Sequence, residues 1–112
     1  MRNTLELIKD KEEGWDLATG SSLKDYLTGV TYAQLVKTFG QPLYSPEDSG
    51  DGKVQFEWVF LHNGEVFTLY DWKTYDVEYT INELKRWNIG GKTYAGRFVE
   101  DIMEEINKKV YA

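Results

Sequence analysis

A chain of 112 residues is long enough for one small domain and too short for two. With 13 basic and 19 acidic residues the net charge is −6, which argues against a protein held to nucleic acid by its overall field, and the lack of cysteine excludes a disulfide framework, a zinc–thiolate site and a cysteine nucleophile. Hydrophobic residues at 41% and aromatics at 15% are too many for a disordered acidic tail, and no apolar run approaches the roughly 20 residues that span a bilayer.

At the N-terminus, Asn3 followed by Thr4-Leu5-Glu6 resembles a capping box. The pattern predicts a short helix over about residues 4–13, with Gly14 at C′. Such a helix has only Leu5, Ile8 and Leu7 to bury, so it must dock or fray. Residues 1–19 are therefore read as an N-terminal helical segment, joined through Gly20-Ser21-Ser22 to a single domain over 20–112. Asp10, Lys11, Glu12 and Glu13 interrupt the apolar stretch that a secretory signal needs, which points to the cytoplasm.

Leu23 to Val30 carries Tyr26, Leu27, Thr28 and Val30, which suit a strand. Thr31-Tyr32-Ala33-Gln34 is a Thr-x-x-Gln capping box, and Leu35, Val36 and Phe39 follow before Gly40 and Pro42, so a helix is predicted over 32–39. Ser45 to Gly52 reads as a loop on composition. The strongest local signal is next: Val54–His62 and Glu65–Lys73 are strand-like runs separated by Asn63-Gly64, a pair that tolerates the positive φ angles of a type I′ turn. A two-residue loop sets the register. His62 should face Glu65, Phe60 face Phe67, Trp58 face Leu69, and Phe56 face Asp71 on one, core-forming side. On the other side Leu61 pairs with Val66, Val59 with Thr68, Glu57 with Tyr70 and Gln55 with Trp72.

Thr74 to Glu83 reads as a loop, and Lys85 to Ile89 as a short strand ended by Gly90-Gly91. Thr93 is then positioned to cap a last helix over 94–110, in which Tyr94, Phe98, Ile102, Ile106 and Val110 recur every four residues. The predicted fold is α+β: a single small domain with an antiparallel sheet built on the Asn-Gly hairpin and packed by two or three helices.

No coherent catalytic set emerges. His62 is the only histidine and sits beside a hairpin turn, where an imidazole is ordinarily solvated. Gly90-Gly91-Lys92-Thr93 resembles a phosphate-binding turn but lacks the full spacing, and a plain strand-to-helix turn accounts for it. Glu47, Asp48 and Asp51 share a Gly-rich loop without calcium-loop spacing. Glu57 opposite Tyr70 is the one strand carboxylate suited to acid–base work, and such a pair is more often a structural hydrogen bond. The expectation is a protein with no enzymatic activity, no cofactor and no metal.

Two surfaces are candidates for binding. If the second hairpin strand and the 85–89 strand lie side by side, Glu57, Tyr70, Trp72, Lys73, Trp87, Asn88, Gly90, Gly91 and Lys92 would form an aromatic, lysine-edged surface. That composition suits a nucleobase or a protein hot spot, and equally a thin core completed by tryptophans. The other candidate is the acidic side of the last helix, Glu100, Asp101, Glu104 and Glu105, which could meet a basic groove or simply be solvated.

Several motifs together carry a family resemblance. Ser22-Leu23-Lys24-Asp25-Tyr26, Thr31-Tyr32-Ala33-Gln34-Leu35 and Phe39-Gly40-Gln41-Pro42 come first, followed by Glu57-Trp58, Asn63-Gly64, Thr68-Leu69-Tyr70-Asp71-Trp72-Lys73 and Trp87-Asn88-Ile89-Gly90-Gly91-Lys92. Over about residues 20–92 the chain resembles a family of small, largely uncharacterised tailed-phage accessory proteins. Members usually show Trp-His-Ile-Gly-Gly at the last motif; Asn88 stands in the histidine's place, so an acid–base role there does not carry over. The resemblance implies a viral context and the cytoplasm of a bacterial host. The resemblance itself implies no activity; the viral context, the acidity and surface aromatics without a catalytic set lead to the expectation of counter-defence, by non-catalytic binding to a host defence protein such as a nuclease or a CRISPR-type complex, with no direct contact to nucleic acid or membrane. The alternatives are a binder that sequesters a nucleotide signal, with Tyr70, Trp72, Trp87 and Asn88 on the base and Lys73 or Lys92 on phosphate, and a phage structural or accessory interaction protein.

Overall fold

A computed structural model describes residues 4–48, 50 and 52–111. In chain order they form β1 (Leu5–Leu7), α1 (Lys11–Ala18), β2 (Ser22–Thr28), α2 (Tyr32–Phe39), a 3-10 turn (Pro46–Asp48), β3 (Glu57–His62), β4 (Glu65–Tyr70), α3 (Val77–Asn82), β5 (Arg86–Gly91) and α4 (Gly96–Tyr111). The strands make one antiparallel sheet in the order β1-β3-β4-β5-β2, so the α+β expectation holds.

The hairpin has the register that its two-residue turn dictates: His62 faces Glu65, Phe60 faces Phe67, Trp58 faces Leu69 and Glu57 faces Tyr70. Asn63 at φ 52° and Gly64 at φ 83° supply the left-handed turn conformation. Pairing stops at Glu57 and Tyr70, so the expected Phe56–Asp71 and Gln55–Trp72 pairs do not form. The Asp71 carboxylate replaces them, accepting the backbone N–H groups of Gln55 at 2.7 Å and Phe56 at 3.0 Å.

One sheet face carries the main core. Trp58, Phe60, Phe67, Leu69, Ile89, Trp87 and Leu27 pack beneath Leu35 of α2 and Phe98, Ile102 and Ile106 of α4. Burying each such side chain contributes about 1.5–3 kcal/mol. Helix α2 has the predicted capping box, with the Thr31 hydroxyl accepting from Gln34 N–H and the Gln34 side chain accepting from Thr31 N–H. Its two ends are fixed to the sheet by indoles: Trp87 Nε1 donates to Val30 O at 2.8 Å and Trp58 Nε1 to Gly40 O at 3.0 Å.

The opposite face is also covered. Ile8, Val59 and Val66 are buried with Leu17, Leu43, Tyr44 and Leu61 packed around them. This second cluster depends on residues 4–19, which belong to the same domain and do not form the predicted helix over 4–13. Leu5 and Leu7 alternate with exposed Glu6 and pair with His62 and Phe60 as an edge strand. Backbone pairing to β3 outweighs the local helical signal, because an edge supplies hydrogen bonds that an isolated short helix cannot match. The proposed cap Asn3 lies outside the described residues. The helix starts later, with Asp10 as N-cap accepting from Glu13 N–H at 2.9 Å. Gly14 is inside α1 rather than past its end, and it suits the close packing there, since a Cβ would stand 2.5 Å from Leu43 Cδ2.

Two further expectations change. Thr74–Glu83 contains α3, started by Asp76, whose side chain accepts from Tyr79 N–H at 3.1 Å, so the domain has one helix more than the sequence suggested. Helix α4 begins at Gly96, so Thr93 is not its N-cap and Tyr94 is exposed instead of lying on the apolar stripe.

Candidate functional site

The expected aromatic surface is assembled only in part. Across the sheet, Glu57 pairs with Tyr70, Tyr70 with Asn88, and Asn88 with Tyr26, placing these four side chains in one row on the α1-covered face. The Tyr70 hydroxyl is hydrogen-bonded to the Asn88 side chain. Burial raises the Tyr70 pKa, Asn88 lowers it, and the neighbouring Glu57 and Tyr26 raise it further. At the end of the row the Arg86 guanidinium lies 4.2 Å from the centre of the Tyr26 ring.

Trp87 is on the other face. It is fully buried, meets Trp58 edge-to-face and cannot share a surface with Tyr70 and Asn88, because adjacent residues of a strand point to opposite sides. Gly90 and Gly91 do not form a phosphate turn. They are the last two residues of β5 and are buried. A Cβ on Gly90 would stand 2.6 Å from Thr68 Oγ1, and one on Gly91 would stand 2.8 Å from Phe67 Cδ1. The Gly-Gly pair is thus required by close packing of β5 against β4. Lys92 follows the strand and is exposed. The base-and-phosphate set named for a nucleotide is therefore split between two faces.

Among the described residues Glu57 has the most strongly shifted carboxyl. Burial, and then the charge of Asp71, push its pKa from 4.5 to about 7, against a weaker opposing hydrogen bond from Thr68. It is part of a cleft of about 720 Å³ whose lining also includes Trp15, Tyr44, Lys11 and Asp48.

Beyond β4 the chain makes a tightly held aromatic turn. Asp71 is fully buried. Besides its two backbone donors it accepts from Thr80 Oγ1 at 2.8 Å and Thr74 Oγ1 at 3.3 Å, so one carboxylate ties α3 and the 52–56 segment to the sheet end. Lys73 N–H donates to Lys53 O at 2.6 Å. Lys73 and Tyr75 have φ values of 55° and 52°, in the left-handed region that non-glycine residues enter at a cost of about 1–2 kcal/mol. The turn displays Trp72 at 47%, Tyr75 at 60% and Tyr79 at 47% exposure, with Lys73 Nζ 5.5 Å from the centre of the Trp72 ring. A cleft of about 480 Å³ lies between Trp72, Lys73, Thr74, Asp76, Tyr79 and Leu84. Trp72 and Lys73 belonged to the sequence-derived set. Tyr75 and Tyr79 escaped it because a presumed loop has no face to which they could be assigned; the Asp76-x-x-Tyr79 cap was the available signal.

The acidic helix surface is less free than its sequence suggests. His62 is buried, not solvated: its Nε2 lies 2.5 Å from Asp101 Oδ2, and its ring packs against Phe98 and Phe67. Glu104 and Glu105 lie 3.2 Å and 3.8 Å from Lys108 Nζ. Glu100 is exposed. Asp48 accepts from Lys11 Nζ and from Ser45 N–H, while Asp51 lies outside the described residues. Among the described residues no three His, Asp or Glu side chains are grouped to hold a metal ion. None of the described helices is long and apolar enough to cross a membrane.

No family model, curated protein or solved structure matches the chain.

Proposed function

We propose that this protein is a phage-encoded, non-catalytic inhibitor that acts in the bacterial cytoplasm by binding a host defence protein, and that the aromatic turn over residues 72–79 is its contact surface. The observation that carries this reading is the display of Trp72, Tyr75 and Tyr79 on a backbone held by buried Asp71. Exposed Trp and Tyr side chains on a preorganised turn are the typical anchors of protein interfaces, because little conformational entropy is lost on binding. Two left-handed non-glycine residues, Lys73 and Tyr75, within this turn add to the reading, since such strain persists where surrounding structure enforces it, often at binding sites. The phage context rests on the motif resemblance over residues 20–92. The net charge of −6 favours a basic partner, such as a nuclease or CRISPR-type complex with a nucleic-acid channel, and would speed association at low salt.

The test pairs melting curves with phage plating on a host that carries the defence system. Trp72→Ala, Tyr75→Ala and Lys73→Glu alter solvent-facing groups and should leave stability within about 1 kcal/mol. Each should nevertheless reduce plating efficiency and partner retention. Wild-type plating by all three folded variants would remove this surface, and the contact would then be sought on α4 at Glu100 and Glu104.

A further inference from the structure

On the sheet face away from the main core, a cleft of about 720 Å³ opens between α1 and the segments around Tyr44 and Glu57. This volume is in the range of small-ligand sites. Its floor is built rather than incidental. Tyr44 and Glu57 form an isolated antiparallel bridge, each accepting the other's N–H at 3.1 Å, which sets their side chains on the same face. The Tyr44 hydroxyl donates to Lys11 O at 2.5 Å and so fixes the start of α1. The close approach of Gly14 to Leu43 and Tyr44 holds the next residue, Trp15, on the cleft lining, where it is 70% exposed. An exposed tryptophan on a helix whose other side is packed has no structural task that its burial reveals.

The cleft is electrically negative. Burial, and then the charges of Glu57, Asp48, Asp10 and Asp16, raise the Tyr44 pKa. The one ammonium among the lining residues, Lys11 Nζ, is committed to Asp48 at 3.0 Å and 3.1 Å. Glu12 stands on the lining, and Glu12 with Glu13 in the first turn offsets the positive end of the α1 dipole. A flat aromatic wall, a carboxylate floor and a negative field together select a planar cation. Guanidinium stacks on indole and pairs with a carboxylate through two parallel N–H donors.

We propose that this cleft binds a guanidinium or amidinium group, stacked on Trp15 and hydrogen-bonded to Glu57. The site is separate from the aromatic turn, and neither reading depends on the other. The same chemistry is found in a free small molecule and in an arginine side chain of a protein.

Two probes distinguish these sources: agmatine, and a capped Gly-Arg-Gly peptide. Each is titrated into the ¹⁵N-labelled protein at about pH 8, where Glu57 is ionised. Agmatine should bind saturably at up to about 10 mM, the range in which a millimolar complex fills. Among the four indole N–H signals only that of Trp15 should move strongly, since Trp58 and Trp87 are buried and Trp72 is at another site. Binding of the peptide as well assigns the site to an arginine side chain; binding of agmatine alone assigns it to a free ligand. Trp15→Leu and Glu57→Gln should each weaken agmatine about tenfold or more while retaining a cooperative melt. The proposal is overturned by no saturable shift, by an equal shift with sodium chloride at the same ionic strength, or by unchanged affinity in folded Glu57→Gln.

Discussion

The rings of Trp58 and Trp87 meet edge-to-face with centroids 5.8 Å apart, and their indole N–H groups hold opposite ends of one helix. Val30 O lies just before α2 and Gly40 O just after it, so the pair positions that helix over the sheet. Replacing either indole by Phe keeps most of the apolar bulk but removes a donor, from a buried bond to Val30 O in one case and from a partly buried bond to Gly40 O in the other. Each Trp→Phe change should cost about 1–3 kcal/mol, and each Trp→Ala about 3–5 kcal/mol. Urea denaturation measures both. Equal stability of Trp87→Phe and wild type would mean that the Val30 bond contributes nothing.

Glu57 makes stability depend on pH in a defined direction. Below its ordinary value of 4.5 the group is protonated in both folded and unfolded chains, whereas between 4.5 and about 7 only the folded chain keeps the proton. The folded state binds the extra proton, so this contribution to stability is lost as pH rises through that window. Glu57→Gln should match wild type at about pH 4 and exceed it by up to about 3 kcal/mol at about pH 8. Replacing Asp71 by Asn removes the second cause of the shift, so Glu57 should titrate lower in that variant. Carbon-detected NMR titration of the Glu57 carboxyl reads this directly; an unmoved titration would rule out the Asp71 charge as a cause.

His62 and Asp101 join the hairpin to α4 at 2.5 Å. Asp101→Ala leaves a buried imidazole nitrogen without this partner and should cost about 1–3 kcal/mol. His62→Ala and the double variant complete a cycle, and a coupling energy near zero would show that the contact adds no stability.

The glycines of β5 should respond unequally to alanine. A methyl at Gly91 meets Phe67, whose ring is stacked on Phe98 at 4.5 Å, so relief requires moving two core rings. Gly91→Ala should lose about 1–3 kcal/mol as an overpacked core. Gly90→Ala meets the Thr68 hydroxyl and should additionally disturb its bond to Glu57. A Gly90→Ala protein in which Glu57 titrates as in wild type would show that Thr68 has room to yield.

What was legible in the chain was legible because it was local. The Asn63-Gly64 turn sets the register of six residue pairs, from Glu57–Tyr70 to His62–Glu65, and Thr31 with Gln34 closes the cap of α2 within one turn. The four-residue recurrence of Phe98, Ile102 and Ile106 likewise identifies the buried side of α4 before any partner is known. Tertiary structure decided the rest, where local preferences were weak or where two distant segments compete for one group. Leu5–Leu7 became an edge strand because β3 offered unpaired backbone, and Gly90-Gly91 stayed extended because they pair with β4 on one side and β2 on the other, with Phe67 and Thr68 filling the space a Cβ would need. The split of Trp87 from Asn88, by contrast, followed from alternation along a strand already predicted over 85–89, and tertiary structure added only which face was buried. His62, at a hairpin end where water is the usual neighbour, was buried by Phe98 and Asp101 of α4, which stand 36 and 39 residues further along the chain, a distance over which no local pattern carries information.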